Sequence, residues 1–268
     1  MSDYLALSYW NLALGSVFIF INAGLSVALE LGVHRRILIA GARMVVQLAI
    51  MGLILTALFA VVSPFWTSLA ALGMVLFAGR EIAARQDRPL GGWWSYGLGT
   101  VCMMIGPMVV TVFALTTVLR SDPWYDPRYA IPVLGMILGN AMTGIALGIS
   151  GLVSGLNTRR AAVEAQLMLG ATRRQAMTPV IRHALRSALM PIINSMSATG
   201  IVSLPGMMTG QILGGVAPEQ AVRYQILIMF LIAGGTGIGA VAAVMGGAYR
   251  LTDKRHRLRL DRLGPEKA

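Results

Sequence analysis

The side chains that could carry out chemistry are few, and the acidic ones lie outside the apolar stretches of the chain. The sequence contains 11 Asp and Glu residues, 3 His and 1 Cys. The acidic residues fall between the apolar stretches or near their ends, and neither H-E-x-x-H nor G-x-S-x-G occurs. A membrane enzyme or a proton-driven carrier needs ionisable side chains inside the membrane, where they are costly and usually functional. The sequence therefore argues against both classes and predicts no catalytic residue and no metal site.

The sequence also lacks the residues that nucleotide hydrolysis usually requires. The only lysines are Lys254 and Lys267, and neither stands in the G-x-x-x-x-G-K-[ST] pattern that binds phosphates. The glycine-rich run 234–239 lies inside an apolar stretch, where the G-x-x-x-G spacing of Gly235 and Gly239 favours close helix contact. We therefore expect the chain to bind no cofactor and to hydrolyse no ATP by itself.

The composition indicates which elements carry the remaining polar residues. Apolar residues make up 56% of the chain and charged residues 12%, with a mean hydropathy of +0.70, whereas soluble domains have about 25% charged residues. Stretches of about 20 apolar residues suffice to cross a membrane as helices. The predicted spans are 8–29, 37–61, 65–79, 93–119, 130–155, 188–213 and 224–249. We predict an all-α, polytopic membrane protein with about seven transmembrane helices.

The distribution of basic residues predicts the orientation. Most of the 22 Lys and Arg fall in segments that are cytoplasmic if the N-terminus is outside and the C-terminus inside. In this orientation residues 1–249 form a transmembrane domain with a cytoplasmic loop at 157–189, and 250–268 form a basic cytoplasmic tail. Because the basic residues belong to membrane loops, the net charge of +11 indicates the lipid bilayer rather than nucleic acid as a partner. Attraction of the tail to anionic headgroups is sufficient to account for its charge.

The loop between spans five and six has signals for three helices. The first is predicted over 158–169, and Gly170 is placed to end it. Thr172 and Gln175 have the spacing of a capping box for a short second helix. The Thr178-Pro179 pair predicts the N-cap and first position of a third helix, which continues into the membrane.

Three parts of the sequence resemble a known family. Glu164-Ala165-Gln166 followed by Gly170 has the E-A-A-x-x-x-G spacing of the cytoplasmic loop in ABC transporter permeases. Together with this loop, the stretches 132–142 and 200–215 look like the FetB/YbbM-like ABC permease family, and the resemblance extends through 224–229.

The resemblance implies a half-size permease of the inner (cytoplasmic) membrane that forms a homodimer and pairs with two separate ATPase subunits, which hold ATP and Mg. The bacterial branch is associated with iron export and the plant relatives with aluminium tolerance. It also implies that segment 170–177 is the coupling helix that docks into the ATPase. The residues assigned to this coupling are Glu164, Gly170, Ala171, Thr172, Arg173 and Arg174.

The sixth span contains the signals expected of a broken helix. Pro191, Pro205 and Gly206 interrupt it, and transporters use broken helices at substrate sites. Simple kinking for packing is the alternative. The residues assigned to a translocation pathway are Arg43, Asn140, Ser203, Pro205, Met207, Met208 and Gln211.

The sequence leaves the roles of several residues in the spans open. Arg43, inside span two, could reach the inner headgroups, pair with Glu30 or face an anionic cargo. For Asn140 we expect a hydrogen bond to a neighbouring helix, and for the methionines and Cys102 packing rather than soft-metal binding. The glycines at 144, 148, 151 and 155 permit close helix approach, either within one subunit or between two.

A different class of function is also compatible with the sequence. An energy-independent channel, or a membrane scaffold, would have the same spans, and its cytoplasmic loop would bind a regulatory protein instead of an ATPase. The two classes differ in whether the chain works with an ATPase that carries Walker A and signature motifs.

Overall fold

A computed structural model describes residues 8–253 and 255–266. Lys254 and Lys267 of the predicted tail therefore lie outside the described residues. The chain forms two units. One contains the described residues up to Val61 together with Leu213–Gly215, and the other contains Val62–Ile212 and the described residues from Val216 onward.

The first unit consists mainly of two helices. Helix α1 spans Tyr9–Ala28 and helix α2 spans His34–Ala60, and the two pack against each other. Ser8 is the N-cap of helix α1, and its hydroxyl accepts a hydrogen bond from the backbone N–H of Trp10. Most apolar side chains on both helices are exposed, as expected where lipid takes the place of water.

The rest of the described chain forms seven helices and a short 3₁₀ turn. The helices are α3 (Pro64–Ala84), α4 (Trp94–Val118), α5 (Pro127–Thr158), α6 (Arg160–Met168), α7 (Arg173–Ala198), α8 (Gly206–Leu213) and α9 (Pro218–Arg250), and the turn spans Leu260–Arg262. The described residues form no β-strand, only isolated β-bridges.

Six of these helices are long and apolar enough to cross a membrane: α1, α2, α3, α4, α5 and α9. They coincide with six of the predicted spans, and the prediction of an all-α, polytopic membrane protein is confirmed. The predicted sixth span is discontinuous: α7 ends at Ala198, residues 199–205 form an irregular turn, and α8 follows. The total number of crossings and their orientation stay predictions.

Helix α4 approaches α9 through glycine. The segment Met104–Met108 of α4 is a π-helical turn that contains Pro107, which has no N–H to donate. A Cβ atom on Gly106 would lie 2.6 Å from the backbone N of Gly239 and 2.8 Å from the backbone O of Gly235. The close contact predicted for the Gly235–Gly239 pair is thus confirmed, and its partners are α4 and, through two isoleucine side chains, α5.

The glycines of α5 pack inside the same chain. A Cβ on Gly148 would meet Ala188 of α7 at 3.3 Å, and a Cβ on Gly151 would meet Ala184 of α7 at 3.4 Å. Helix α7 therefore lies directly along α5. Of the two possibilities that the sequence leaves open for this stripe, the structure supports contact within one subunit.

The described part of the predicted tail is folded onto the second unit. Gly91 donates a backbone hydrogen bond to Arg262 (2.7 Å), and Gly264 donates one to Pro89 (2.7 Å). Leu251, which follows α9, is fully buried. The imidazole Nδ1 of His256 accepts the backbone N–H of Arg173, the first residue of α7 (3.0 Å). The α3–α4 loop, the α6–α7 turn and the tail therefore meet at one face. The sequence predicts that all three segments are cytoplasmic, and this arrangement is consistent with that prediction.

Candidate functional site

The irregular turn between α7 and α8 satisfies its own backbone groups. The backbone N–H groups of Val202 and Ser203 donate to the carbonyl of Ala198, and Gly200 donates to the carbonyl of Ser203. Gly200 has a φ of +90°, a conformation that side-chain-bearing residues rarely adopt. Internal pairing of this kind makes non-helical backbone tolerable at membrane depth.

A groove of about 470 Å³ lies between this turn and α9. Its lining is mostly apolar but includes three thioethers and one amide. The lining residues are Met196, Thr199, Gly200, Leu204, Pro205, Met208, Val222, Gln225, Ile226, Met229 and Phe230. Gln225 is 6% exposed, and its Oε1 has no hydrogen-bond partner among the described residues. A buried amide without a partner is costly in an apolar surrounding, so the groove is suited to a ligand that donates a hydrogen bond.

The structure brings only part of the predicted pathway to this groove. Pro205 and Met208 line it, whereas Met207 packs against the apolar core between α5 and α9. Ser203 accepts the hydrogen bond within the turn. Gln211 does not line the groove, although its Oε1 is buried and has no partner in the described part of the chain.

Asn140 and Arg43 lie elsewhere. The Asn140 amide donates to the carbonyl of Met136 in its own helix (2.9 Å), so the expected bond to a neighbouring helix is wrong: the side chain is exposed and its nearest acceptor is the carbonyl one turn earlier. Arg43 lies in α2 of the first unit, and its three possible roles stay open.

The soft ligands in the spans pack in the core. Cys102 and Met103 of α4 are buried in an apolar cluster with Leu134 and Ile145 of α5. This placement supports the packing role expected of them. Among the described residues no three His, Cys, Asp or Glu side chains converge on a common point.

Gln225 is the groove residue that the sequence analysis missed. The available signal was an amide one position after the start of an otherwise apolar span. That signal could not show that Gln225 faces the α7–α8 turn, because the position of this turn depends on tertiary packing.

Hydrogen bonds within the α6–α7 turn define its backbone conformation. Gly170 (φ +89°) donates to the carbonyl of Leu167, and Ala171 donates to the carbonyl of Gln166, which is the Schellman arrangement that ends a helix. Thr172 and Gln175 form the predicted capping box, with the Gln175 side chain 2.9 Å from the backbone N–H of Thr172. Both local predictions are confirmed.

The prediction of a separate third helix is wrong. Pro179 lies inside α7, which is continuous from Arg173 to Ala198, and the Thr178 hydroxyl donates to the carbonyl of Arg174 (2.7 Å) instead of capping a new helix. Burial of Met177 and Val180 on both sides of the proline holds the helix together. Segment 170–177 is consequently a turn followed by the start of α7.

The charged residues of this turn differ in exposure. Glu164 is half-buried and pairs with Arg160 one turn earlier on α6 (2.8 Å). The Arg174 side chain is exposed, whereas the Arg173 guanidinium lies over the ring of Tyr249, 5.4 Å from its centroid. Glu164 and Arg174 are thus accessible from outside the chain, and Arg173 faces α9.

Comparison with known proteins finds relatives among membrane proteins of bacteria and plants. The model of the Uncharacterised protein family UPF0014 matches residues 9–252. The chain is 36% identical to the UPF0014 membrane protein slr1647 of Synechocystis, over 83% of this chain and 85% of that protein. It is 32% identical to the Arabidopsis thaliana protein ALUMINUM SENSITIVE 3, over 85% and 81%. It is 29% identical to the probable iron export permease protein FetB of Escherichia coli, over 92% and 93%. No solved structure matches the chain.

Proposed function

Because the chain belongs to the UPF0014 family of membrane proteins, we propose that it is the membrane-spanning permease subunit of an ABC transporter. In this proposal it exports iron or a metal-related small solute across the cytoplasmic membrane, works as a homodimer, and is energised by a separate ATPase subunit. The resemblance stated from the sequence is confirmed at the level of the family, and the name of the FetB relative supports a permease role.

One structural observation carries the proposal. Helix α7 runs without interruption from the α6–α7 turn, where the resemblance places ATPase docking, to the turn that borders the groove. Its 26 residues correspond to about 39 Å at 1.5 Å per residue, more than the hydrocarbon thickness of a bilayer. A continuous helix of this length can transmit a displacement from one end to the other.

The packing of α7 supports a mechanical role. Ala184 and Ala188 lie against the glycine stripe of α5, so α7 and α5 are in close contact over several turns. Closure of two ATPase subunits around ATP would displace the α6–α7 turn, and α7 with α5 would move as a packed pair, which is the rigid-body type of transition. The Gly200 turn then changes its position relative to α9.

The groove lining supports a polar or chelated cargo rather than a bare ferrous ion. Iron in proteins is usually held by imidazole and carboxylate groups, whereas thioethers suit softer ions. The described lining offers the thioethers of Met196, Met208 and Met229 and the amide of Gln225. Substrate-specific contact is therefore expected from Gln225, with the methionines forming an adaptable apolar wall.

Co-purification with an ATPase tests the coupling directly. We expect the chain to co-purify with an ABC ATPase, and Glu164→Lys to lower the permease-stimulated ATPase rate by about tenfold. Glu219→Lys is the matched control, because Glu219 also pairs with an arginine four residues on, Arg223, and is exposed. It leaves the rate unchanged.

The opposite outcome would support the alternative class. Full solute flux in vesicles that contain the purified chain alone would indicate an energy-independent channel or scaffold. Equal effects of both charge reversals on the ATPase rate would contradict docking at Glu164. The cargo is identified by transport in vesicles that contain both subunits, with ferrous iron, chelated iron and nucleotide sugars offered in turn.

The groove is tested separately from the coupling. We expect Gln225→Leu to lower transport by the reconstituted complex about tenfold, since the variant loses the one buried amide of the groove, and a hydrogen bond to a ligand contributes about 1 kcal/mol or more. Gln220→Leu, at an exposed position five residues earlier on α9, serves as the control. Assembly with the ATPase, measured by co-purification, stays intact in both variants. Unchanged flux in Gln225→Leu would remove the groove from the pathway.

A further inference from the structure

Three arginines line a second cavity, which lies at the C-terminal end of α9. The cavity has a volume of about 280 Å³. Arg250 ends α9, Arg173 begins α7, and Arg262 lies in the 3₁₀ turn of the tail. Since a water molecule occupies about 30 Å³ in the liquid, this space holds a tetrahedral oxyanion and part of its hydration shell.

Aromatic rings hold two of the guanidinium groups in place. The Arg250 guanidinium lies 4.7 Å from the centroid of the Trp94 ring, and the Arg173 guanidinium lies 5.4 Å from that of Tyr249. The Arg262 guanidinium donates to the carbonyl of Arg250 (2.8 Å). Stacked or bonded arginines have lost much of their conformational freedom, so the cost of ordering them around a ligand is lowered.

Not every hydrogen-bond donor of these arginines has an acceptor among the described residues. Within the described part of the chain, the buried Nε of Arg250 has no hydrogen-bond partner. Among residues 8–253 and 255–266, the ion pairs within 4.0 Å involve other arginines, such as Arg257 and Arg259, and leave Arg173, Arg250 and Arg262 without a carboxylate partner. A buried guanidinium nitrogen without an acceptor is unfavourable, and an anion would supply the acceptor.

The one carboxylate in the lining does not neutralise the three arginines. Asp253 accepts hydrogen bonds from the backbone N–H groups of Arg255 and Arg257 and pairs with the Arg257 guanidinium (2.9 Å). Desolvation raises the pKa of Asp253, but the hydrogen bonds from Arg257 and Arg255 outweigh it, and the pKa lies below its usual value. Asp253 is therefore charged at neutral pH, with Arg257 as its counter-ion, and the lining carries a net positive charge.

We propose that this cavity binds a phosphate group, carried either by the headgroup of an anionic phospholipid or by a free phosphate. Arginine forks match phosphate oxygens in pairs, and tryptophan and tyrosine beside basic residues are typical of the membrane interface. The cavity is built from α4, α7, α9 and the tail, so a bound phosphate would tie the tail to the start of α7. This inference holds whether or not the chain transports a solute.

Thermal unfolding of the full-length protein in neutral detergent at 0.15 M salt tests the proposal. The probes are inorganic phosphate and dioctanoyl phosphatidylglycerol, with dioctanoyl phosphatidylcholine for comparison. We expect saturable stabilisation that Arg250→Gln or Arg262→Gln weakens about tenfold in apparent affinity, as the loss of a charge-assisted hydrogen bond predicts. Arg255→Gln is the control, because it removes the same charge from the exposed part of the tail. It leaves the affinity unchanged.

The two sources of the phosphate give different results. Stabilisation by phosphatidylglycerol alone identifies a lipid site, and stabilisation by inorganic phosphate identifies a site for a free anion. Where a glutamine variant does not fold, Arg262→Lys keeps the charge but loses the planar fork, and it is expected to bind with intermediate affinity. The absence of saturable stabilisation by either probe, or an equal loss in Arg255→Gln, would overturn the proposal.

Discussion

Gly106→Ala lowers the stability of the purified protein sharply. The added Cβ would lie within 2.8 Å of two backbone atoms of α9, the N of Gly239 and the O of Gly235. Backbone atoms of a packed helix cannot move aside as the end of a flexible side chain can. Overpacking of this kind costs about 1–3 kcal/mol, which corresponds to a fall of about 2–12 °C in the unfolding midpoint of a chain of this size. The measurement is thermal unfolding in detergent.

Gly237→Ala is the matched control for this experiment. Gly237 lies in the same helix between Gly235 and Gly239, but a Cβ there meets nothing within 4 Å. Alanine also has the higher helix propensity, so this variant is as stable as the unaltered protein or slightly more so. Equal destabilisation by both changes would mean that the glycines of this region serve helix flexibility rather than the α4–α9 contact.

Gly170→Pro abolishes most of the ATPase stimulation that we propose for this chain. Gly170 has a φ of +89° and donates its N–H to the carbonyl of Leu167. Proline requires a φ near −65° and has no N–H, so the variant loses both the conformation and the bond that end α6. The turn that precedes Thr172 must then move, and misplacement of a positioned group by about 1 Å can lower a rate about 100-fold.

Gly170→Asn tests whether this position requires the left-handed backbone conformation or glycine itself. Asparagine tolerates the left-handed conformation better than other side chains and occurs at this position of helix ends. No atom lies within 4 Å of a Cβ built at Gly170, so the side chain has room. We expect Gly170→Asn to retain most of the stimulated ATPase rate. If both variants stimulate the ATPase fully, the α6–α7 turn is not the docking element.

The features that the sequence predicted correctly are local ones. The capping box of Thr172 and Gln175 and the helix end at Gly170 depend on residues within a few positions of each other, and both occur in the structure. The membrane helices depend on the length and hydropathy of continuous stretches. Pro205 and Met208 lie beside a break in the helix, because the proline and the following glycine act on their own segment.

The features that the sequence did not predict depend on contacts between distant segments. Pro179 indicated a helix start, but the burial of Met177 and Val180 keeps α7 continuous through it. Asn140 could reach a carbonyl in its own helix as easily as one in a neighbour. The position of Gln225 at the groove depends on how α9 packs against the α7–α8 turn, and no spacing within α9 records it.

The docking of the tail has a similar origin. Most of its bonds join backbone groups, such as Gly264 to Pro89 and Gly91 to Arg262, and backbone groups are common to almost all residue types. The basic composition suggested only attraction to headgroups. The His256 imidazole, which accepts the N–H of Arg173, gave no signal either, because its partner is 83 positions away in the chain.

These backbone bonds also set an order of events during synthesis. Pro89 and Gly91 leave the ribosome long before Arg262 and Gly264, their hydrogen-bonding partners. The helices between them can insert into the membrane as they emerge, but the face that contains the start of α7 cannot close until translation has passed residue 264. A nascent chain thus exposes an unfinished surface at the turn where we propose that the ATPase docks, and in that proposal docking waits for the last segment to arrive.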